Sequence, residues 1–260
     1  MKVHQILNIF IITTIFVLQI NGCLCINHNS TDASLAFSPA VATWYGPETG
    51  YGSGGACGLD NDVANAPYYG LIAAGNQNIF KHGSGCGTCY QIRCKKHPSC
   101  SGNPITVTIT DECPGACNNQ PFHFDLSGKA FGYLAKHGQD YTLRKRGIID
   151  VEYQRVPCHY KANIVFKIDI GSNPYYLAFA VENVNLDGDL AYVTIKPSNA
   201  NWIPMKQSWG ATWNVGIPIG TKGPYTVTIT TIESRRSVTA YNVIPANWAP
   251  GKRYYSNVNF

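Results

Sequence analysis

The chain has 260 residues and a formal net charge of +5. Its Lys and Arg are dispersed rather than gathered into a stripe, which argues against nucleic acid as a partner. Residues 26–157 carry ten Lys and Arg against ten Asp and Glu, and residues 158–260 carry nine against five, so the second half holds the excess. That excess suits either attraction to acidic polymers or a margin of solubility.

Taken in chain order, Lys2 and His4 precede the apolar run ILNIFIITTIFVLQI and the small residues of NGCLC. This pattern at residues 1–25 is a secretory signal peptide rather than a membrane anchor, because no second apolar segment of spanning length follows. Cleavage is expected after Cys25, with Gly22 as the other candidate. The chain left from Ile26, about 235 residues, is long for one domain and comfortable for two. Asn29-Ser30-Thr31 is an N-glycosylation sequon within a polar segment, 26–41, that is predicted to be flexible.

From Ala42 the text is Gly-rich and short-stranded: ATWYGPETGYGSGGACG, YYGLIAAG, CYQIRC and ITVTIT. In FHFDLS, residues 122–127, a strand would set Phe122, Phe124 and Leu126 on one face and His123, Asp125 and Ser127 on the other. Ser127 is a candidate N-cap for a short helix ending near Gly138. Short strands, Gly turns and one helix predict a compact barrel over residues 42–157. After Cys158, NIVFKIDIG, YYLAFAVENV, LAYVTIK and PYTVTITTI alternate or run apolar between turns, which predicts a β-sandwich over residues 158–260. Trp202, Trp213 and Trp248 are expected to fill its core.

The ten cysteines fall to eight beyond the signal, all between Cys57 and Cys158. Cys86-Gly87-Thr88-Cys89 has the spacing of a redox or zinc pair, but in an extracellular chain disulfides are the expected use. The histidines show no metal-ligand spacing, and no nucleotide loop or nucleophile elbow occurs, so no metal or cofactor is expected. Asp111 closes the strand ITVTIT and should emerge at a barrel rim. Sugar hydrolysis needs two carboxylates, one protonated and one ionised, and Asp111 and Asp125 are candidates to line one polysaccharide cleft with Thr43 and Tyr45.

The motifs TWYG (43–46), GGACG (54–58), TDEC (110–113) and HFDLSG (123–128), with SNPYYLAFAV, DGD and QSWGATW and the cysteine spacings, resemble the β-expansins, plant cell-wall-loosening proteins. The resemblance runs from about Ala42 to Trp248. It implies an all-β chain: a six-stranded double-psi β-barrel related to inverting endoglucanases of glycoside hydrolase family 45, then an immunoglobulin-like β-sandwich resembling carbohydrate-binding family 63. It also implies the disulfides Cys57–Cys86, Cys89–Cys158 and Cys94–Cys100, and with them a pairing of Cys113 with Cys117.

By this resemblance Asp125 stands at the hydrolases' general-acid position. Their base lies near Gly46-Pro47, where no carboxylate stands, and Glu48 in the following turn is the nearest substitute. A cleft without its base should not activate water, so a secreted, non-hydrolytic wall-loosening protein is expected, with a family 45-type hydrolase as the alternative. Tyr176 and Trp209 match the family's sugar-stacking aromatics, since sugar rings present apolar C–H faces to flat side chains. The expected polysaccharide-binding residues are Thr43, Trp44, Tyr45, Asp111, His123, Asp125, Tyr176 and Trp209. The Gly-rich loop before Cys57 is left outside the site. Expected partners are cellulose, xylan or other matrix glucans, met by a monomer that associates only peripherally with wall or membrane surfaces.

Overall fold

A computed structural model describes residues 36–260. The signal peptide at 1–25, the Asn29 sequon and most of the segment 26–41 lie outside the described residues. The six strands of the first half are β1 (Ser38–Tyr45), β2 (Ile72–Gly75), β3 (Cys89–Arg93), β4 (Ile105–Glu112), β5 (His123–Ser127) and β6 (Ile149–Val156). They close into a barrel in the order β1-β5-β2-β4-β3-β6. β1 pairs with β5, and β2 with β4, in parallel; the other pairings are antiparallel. This is the six-stranded barrel expected.

The first strand starts at Ser38, inside the stretch expected to be flexible. Ser38 and Pro39 lie opposite Tyr153 and Glu152 of β6, and the Arg93 guanidinium sits 3.7 Å from the centre of the Phe37 ring. Pairing with a strand more than a hundred residues away supplies order that the local text SPA does not suggest.

In β5, Phe124 and Leu126 enter the apolar core with Ala42, Ala73, Ile109 and Phe131, and Phe122 packs against that core. His123, Asp125 and Ser127 take the other face, as the alternation requires. The Ser127 hydroxyl accepts the N–H of Ala130 at 3.0 Å and caps helix α2 (Gly128–Tyr133), which follows the single turn α1 (Gln77–Phe80). α2 is shorter than the predicted helix. Beyond Leu134 the chain bonds instead to the segment around Cys100, where Ala135 forms a bridge and Lys136 donates to the Ser99 carbonyl. A further helix, α3 (Asp140–Arg144), was not foreseen.

The second half forms two sheets. The four-stranded sheet orders as β10 (Ile203–Pro204), β9 (Leu190–Pro197), β13 (Tyr225–Thr231) and β14 (Ser237–Ile244). The five-stranded sheet orders as β11 (Lys206–Trp209), β12 (Thr212–Gly216), β8 (Tyr176–Glu182), β7 (Val165–Ile168) and β15 (Arg253–Tyr255). Leu177, Phe179 and Val181 of β8 meet Phe166, Ile195 and Ile229 in the core between the sheets. Trp213 is buried there and Trp248 packs against it. Trp202, expected in the core, is 46% exposed beside the two-residue strand β10.

All four disulfides are present: Cys57–Cys86, Cys89–Cys158, Cys94–Cys100 and Cys113–Cys117, with Cα separations of 5.6, 5.3, 5.2 and 5.8 Å. Polar contacts then tie the barrel to the sandwich. Lys167 of β7 bonds Asp60 at 2.6 Å and Asp62 at 3.2 Å, and Arg253 of β15 pairs with Asp62. Arg155 of β6 pairs with Asp189 at 2.9 Å and with Glu233. Lys167 lies opposite Ala180, away from the core, so these ion pairs set the barrel against the outer face of that sheet at β7 and β15.

Candidate functional site

The barrel's polar groove is built by strand register. Thr43 of β1 lies opposite Asp125 of β5, Asp125 lies opposite Ala74 of β2, and Ala74 lies opposite Asp111 of β4. Strict alternation would have put Asp111 on the core face with Val107 and Ile109. A bulge at Thr110 prevents this: Ile109 pairs with Ala73, but Asp111 pairs with Ala74. One extra residue in a strand turns everything after it to the other face, so Asp111 joins Asp125. Their backbones stand two strand spacings apart, about 10 Å, with only the Ala74 methyl between them.

The Thr43 hydroxyl lies 2.5 Å from Asp125 Oδ1 and 2.8 Å from His123 Nε2. Burial pushes the Asp125 carboxyl above the usual aspartate range; the Thr43 hydrogen bond and His123 oppose that rise, and the charge of Asp111 adds to it. Burial also holds the His123 imidazole below its ordinary value, against the opposing charge of Asp125, and so favours the neutral ring. His123 as a residue is only 5% exposed, so it stands behind the groove rather than in it.

Trp44 turns away from the groove. It packs on Phe131 of α2, and its indole N–H donates to the Arg144 carbonyl at the end of α3. It packs as part of the barrel's support, on the face opposite Thr43 and Tyr45. Glu48 lies exposed in the turn after β1.

The Gly-rich loop left out of the predicted site is what organises it. The Tyr45 hydroxyl lies 3.3 Å from both the N–H and the carbonyl of Ser53, and burial pushes its pKa up to about 12. The Asp111 Oδ1 accepts the N–H of Ala56 at 2.7 Å and of Glu112 at 2.8 Å. Gly55 lies flat against that carboxylate: a Cβ there would come within 2.1 Å of Asp111 Cγ. Gly58, at φ +78°, meets Trp209 of the sandwich, whose Cη2 stands 2.7 Å from where a Cβ would be. Only glycine permits both approaches. The segment 55–58 therefore has the groove's carboxylate at one end and an aromatic of the other domain at its other end, and the Ala211 N–H donates to the Cys57 carbonyl alongside.

On the sandwich, Tyr176 lies opposite Gly216, Asn214 opposite Ala178, and Trp209 opposite Thr212, all on the outer face of the five-stranded sheet. Trp209 is 47% exposed and Tyr176 36%. Tyr175, in the turn before β8, is 66% exposed. Thr43, Tyr45, Asp111 and Asp125 thus share one groove, Tyr176 and Trp209 share one sheet face, and the loop 52–58 lies between the two groups. Sequence reasoning missed Ala74, Ser53, Gly55 and Gly58. The run of glycines was the available signal.

Comparison with known proteins agrees with the barrel-plus-sandwich fold. The family model described as the expansin C-terminal domain matches residues 164–245, and one described as lytic transglycolase matches residues 72–153. Expansin-B4 of Arabidopsis thaliana is 48% identical over 254 residues, 96% of this chain and 97% of its own length. Expansin-B1 of Zea mays is 51% identical over 230 residues, 85% and 83% of the two chains. The apo structure of the Clavibacter michiganensis expansin is similar in fold, with a TM-score of 0.65, 22% identity and coverage of 86% of this chain and 98% of that one. A point variant of that expansin, in complex with cellohexaose, gives a TM-score of 0.66 at the same identity and coverage.

Proposed function

We propose that this chain, which belongs to the β-expansin family and so loosens plant cell walls, does its work without cutting, by holding one glucan segment along a track that crosses both domains. The sandwich supplies grip through Trp209 and Tyr176, each flat ring stacking on a sugar's C–H face. The barrel supplies polar contacts through Thr43, Asp111 and Asp125, with Tyr45 bracing the loop beside them. By analogy with other aromatic stacking, each ring contributes about 1–3 kcal/mol. A wall junction is many such weak contacts in parallel, so a binder competing for a few of them under tension lets polymers slide.

The observation that carries this reading is the segment 55–58, closed against Asp111 by Gly55 and against Trp209 by Gly58. It makes groove and face neighbours without a gap. The proposal also gives Asp111 no role in activating water. Its Oδ1 is occupied by two backbone N–H groups and its other side is covered by Gly55. Asp125, half-buried and with its carboxyl raised above the usual range by that burial, can then accept from a glucan hydroxyl or, when protonated, donate to one. The cellohexaose held by the Clavibacter expansin makes a β-glucan the first ligand to try.

The test is extension of isolated walls under constant load with purified protein, with the medium assayed for new reducing ends. Extension with no rise in reducing sugar is expected. Sugar release that tracks extension would instead make Asp125 a general acid and overturn the proposal.

A further inference from the structure

Behind the groove stands a buried group whose chemistry the glucan-binding reading does not use. His123 Nδ1 is buried and has no hydrogen-bond partner, while Nε2 lies 2.8 Å from the Thr43 hydroxyl. A neutral imidazole carries one proton, on one nitrogen or the other. A buried lone pair without a partner is tolerated better than a buried N–H without one, so the proton belongs on Nε2. Nε2 must then donate to Thr43 Oγ1. A hydroxyl has a single hydrogen, and with one lone pair of Oγ1 already filled, that hydrogen points at Asp125 Oδ1, 2.5 Å away. The chain of donors therefore runs one way, from imidazole to hydroxyl to carboxyl.

We propose that His123 is a positioning residue that acts through Thr43: by fixing the hydroxyl's direction, it reserves Oδ1 of Asp125 as an acceptor and leaves Oδ2 as the oxygen that carries the carboxyl's proton toward the groove. This rests on Asp125 being the groove's glucan-binding carboxyl. It replaces the expectation that His123 itself touches sugar. A carboxyl whose proton could sit on either oxygen would present a donor to the ligand only part of the time; this arrangement presents it always in the same place. Two backbone contacts fix the main chain from which the imidazole projects. Its own carbonyl accepts the N–H of Asn76 at 3.1 Å, and the preceding Phe122 carbonyl accepts the N–H of Val41 at 3.1 Å. The ionisable groups that face the chain are Asp125 itself and, further off, Asp111 and Tyr45.

The tautomer can be read in the unmodified full-length secreted protein by nitrogen-15 NMR of the imidazole. A proton on Nε2 is expected; a proton on Nδ1 overturns the proposal without any variant having to fold. The second arm follows the Asp125 carboxyl by carbon-13 NMR as pH is varied, with no glucan present. Thr43→Val is expected to move its titration midpoint upward. His123→Asn, whose amide is too short to reach Thr43, should do the same, and His123→Gln, which keeps an N–H near the Nε2 position, should restore it. The pair Thr43→Val with His123→Asn should shift no further than Thr43→Val alone, because both break one chain. Additive shifts, or an Asn variant indistinguishable from the native protein, would make His123 a packing residue only. Because these readouts contain no ligand, they stand or fall apart from the glucan-binding reading: native-like wall extension by variants whose Asp125 has shifted would count against Asp125 as the binding carboxyl and leave the His123 chain intact.

Discussion

The groove of the barrel and the open face of the five-stranded sheet offer a polysaccharide opposite kinds of surface. In the groove every polar group is already bonded to the protein on one side: Asp125 to Thr43, Asp111 to the backbone of Ala56 and Glu112, Tyr45 to Ser53. On the sheet face, Trp209 and Tyr176 stand half exposed among small neighbours such as Ala178 and Gly216. The groove's parts depend on one another through a shared loop, so damage to one should spread. The face's rings are separate, so their losses should add. Where the protein needs direction it uses a network, and where it needs adhesion it uses area.

The most disruptive way to probe that difference is Gly55→Val. The new side chain would occupy the space of the Asp111 carboxylate, so the loop must move and both Tyr45 and Asp111 lose their anchors. Forcing extra atoms into a packed position costs about 1–3 kcal/mol, visible as a lower Tm, and wall extension should be lost while binding to cellulose through the sandwich persists. Extension at the native level would show that the groove is dispensable. Trp209→Ala comes next. Losing one stacked ring, about 1–3 kcal/mol by the same analogy, means roughly 5- to 150-fold weaker cellulose binding in a depletion assay, with the barrel's fold unchanged.

The joint between the two regions can be examined by pH. Glu182 of β8 is buried with Oε1 unpartnered, and burial raises it from 4.5 to about 7, with nearby Lys167 opposing and Asp60 adding to the rise. The folded protein keeps this proton in a range where the unfolded chain releases it. Stability from this group is therefore complete below pH 4.5 and declines as pH climbs toward 7. The variant Glu182→Gln should flatten that decline in a thermal-melting series, with a higher Tm than the native protein at pH 7 and little difference at pH 4.5. An unchanged pH slope would place the charge elsewhere. The smallest effect is reserved for Tyr175→Ala. That residue sits in the turn before β8 rather than on the strand, so cellulose binding should change by less than about twofold, within the ±0.5 kcal/mol of an ordinary surface change, whereas Tyr176→Ala should weaken it severalfold.

The sequence made some of this arrangement visible and hid the rest for physical reasons. Alternation in FHFDLS set Asp125 on the polar face, and the Ser127 cap was readable because both depend on neighbours in the chain. Asp111 was harder. Its place beside Asp125 comes from a bulge at Thr110, and a bulge is a property of two strands, of which the text ITVTITDE shows one. Trp44 and Tyr45, neighbours at the end of a strand, were both expected to bind polysaccharide. Only α3, 100 residues later, reveals that the Trp44 indole is bonded to the carbonyl of Arg144. Trp202 failed in the opposite sense: a core role was expected for every tryptophan not matched to a sugar, but the strand it precedes is two residues long and buries little. The glycines of 52–58 mark a loop in the text, but their partners, a carboxylate and an indole, lie about 50 and 150 residues away.

If one track crosses both domains, affinity should depend on ligand length in a particular way. The direct measurement is calorimetric titration of the intact protein with β-1,4-glucan oligosaccharides of increasing length, in native and Asp125→Asn forms. Native affinity should rise in a second step once the oligosaccharide reaches from Trp209 past Gly58 to Asp125, and the Asn form should lack that step while keeping the first. A single plateau at the length the sheet face alone can hold, identical in both proteins, would contradict the account.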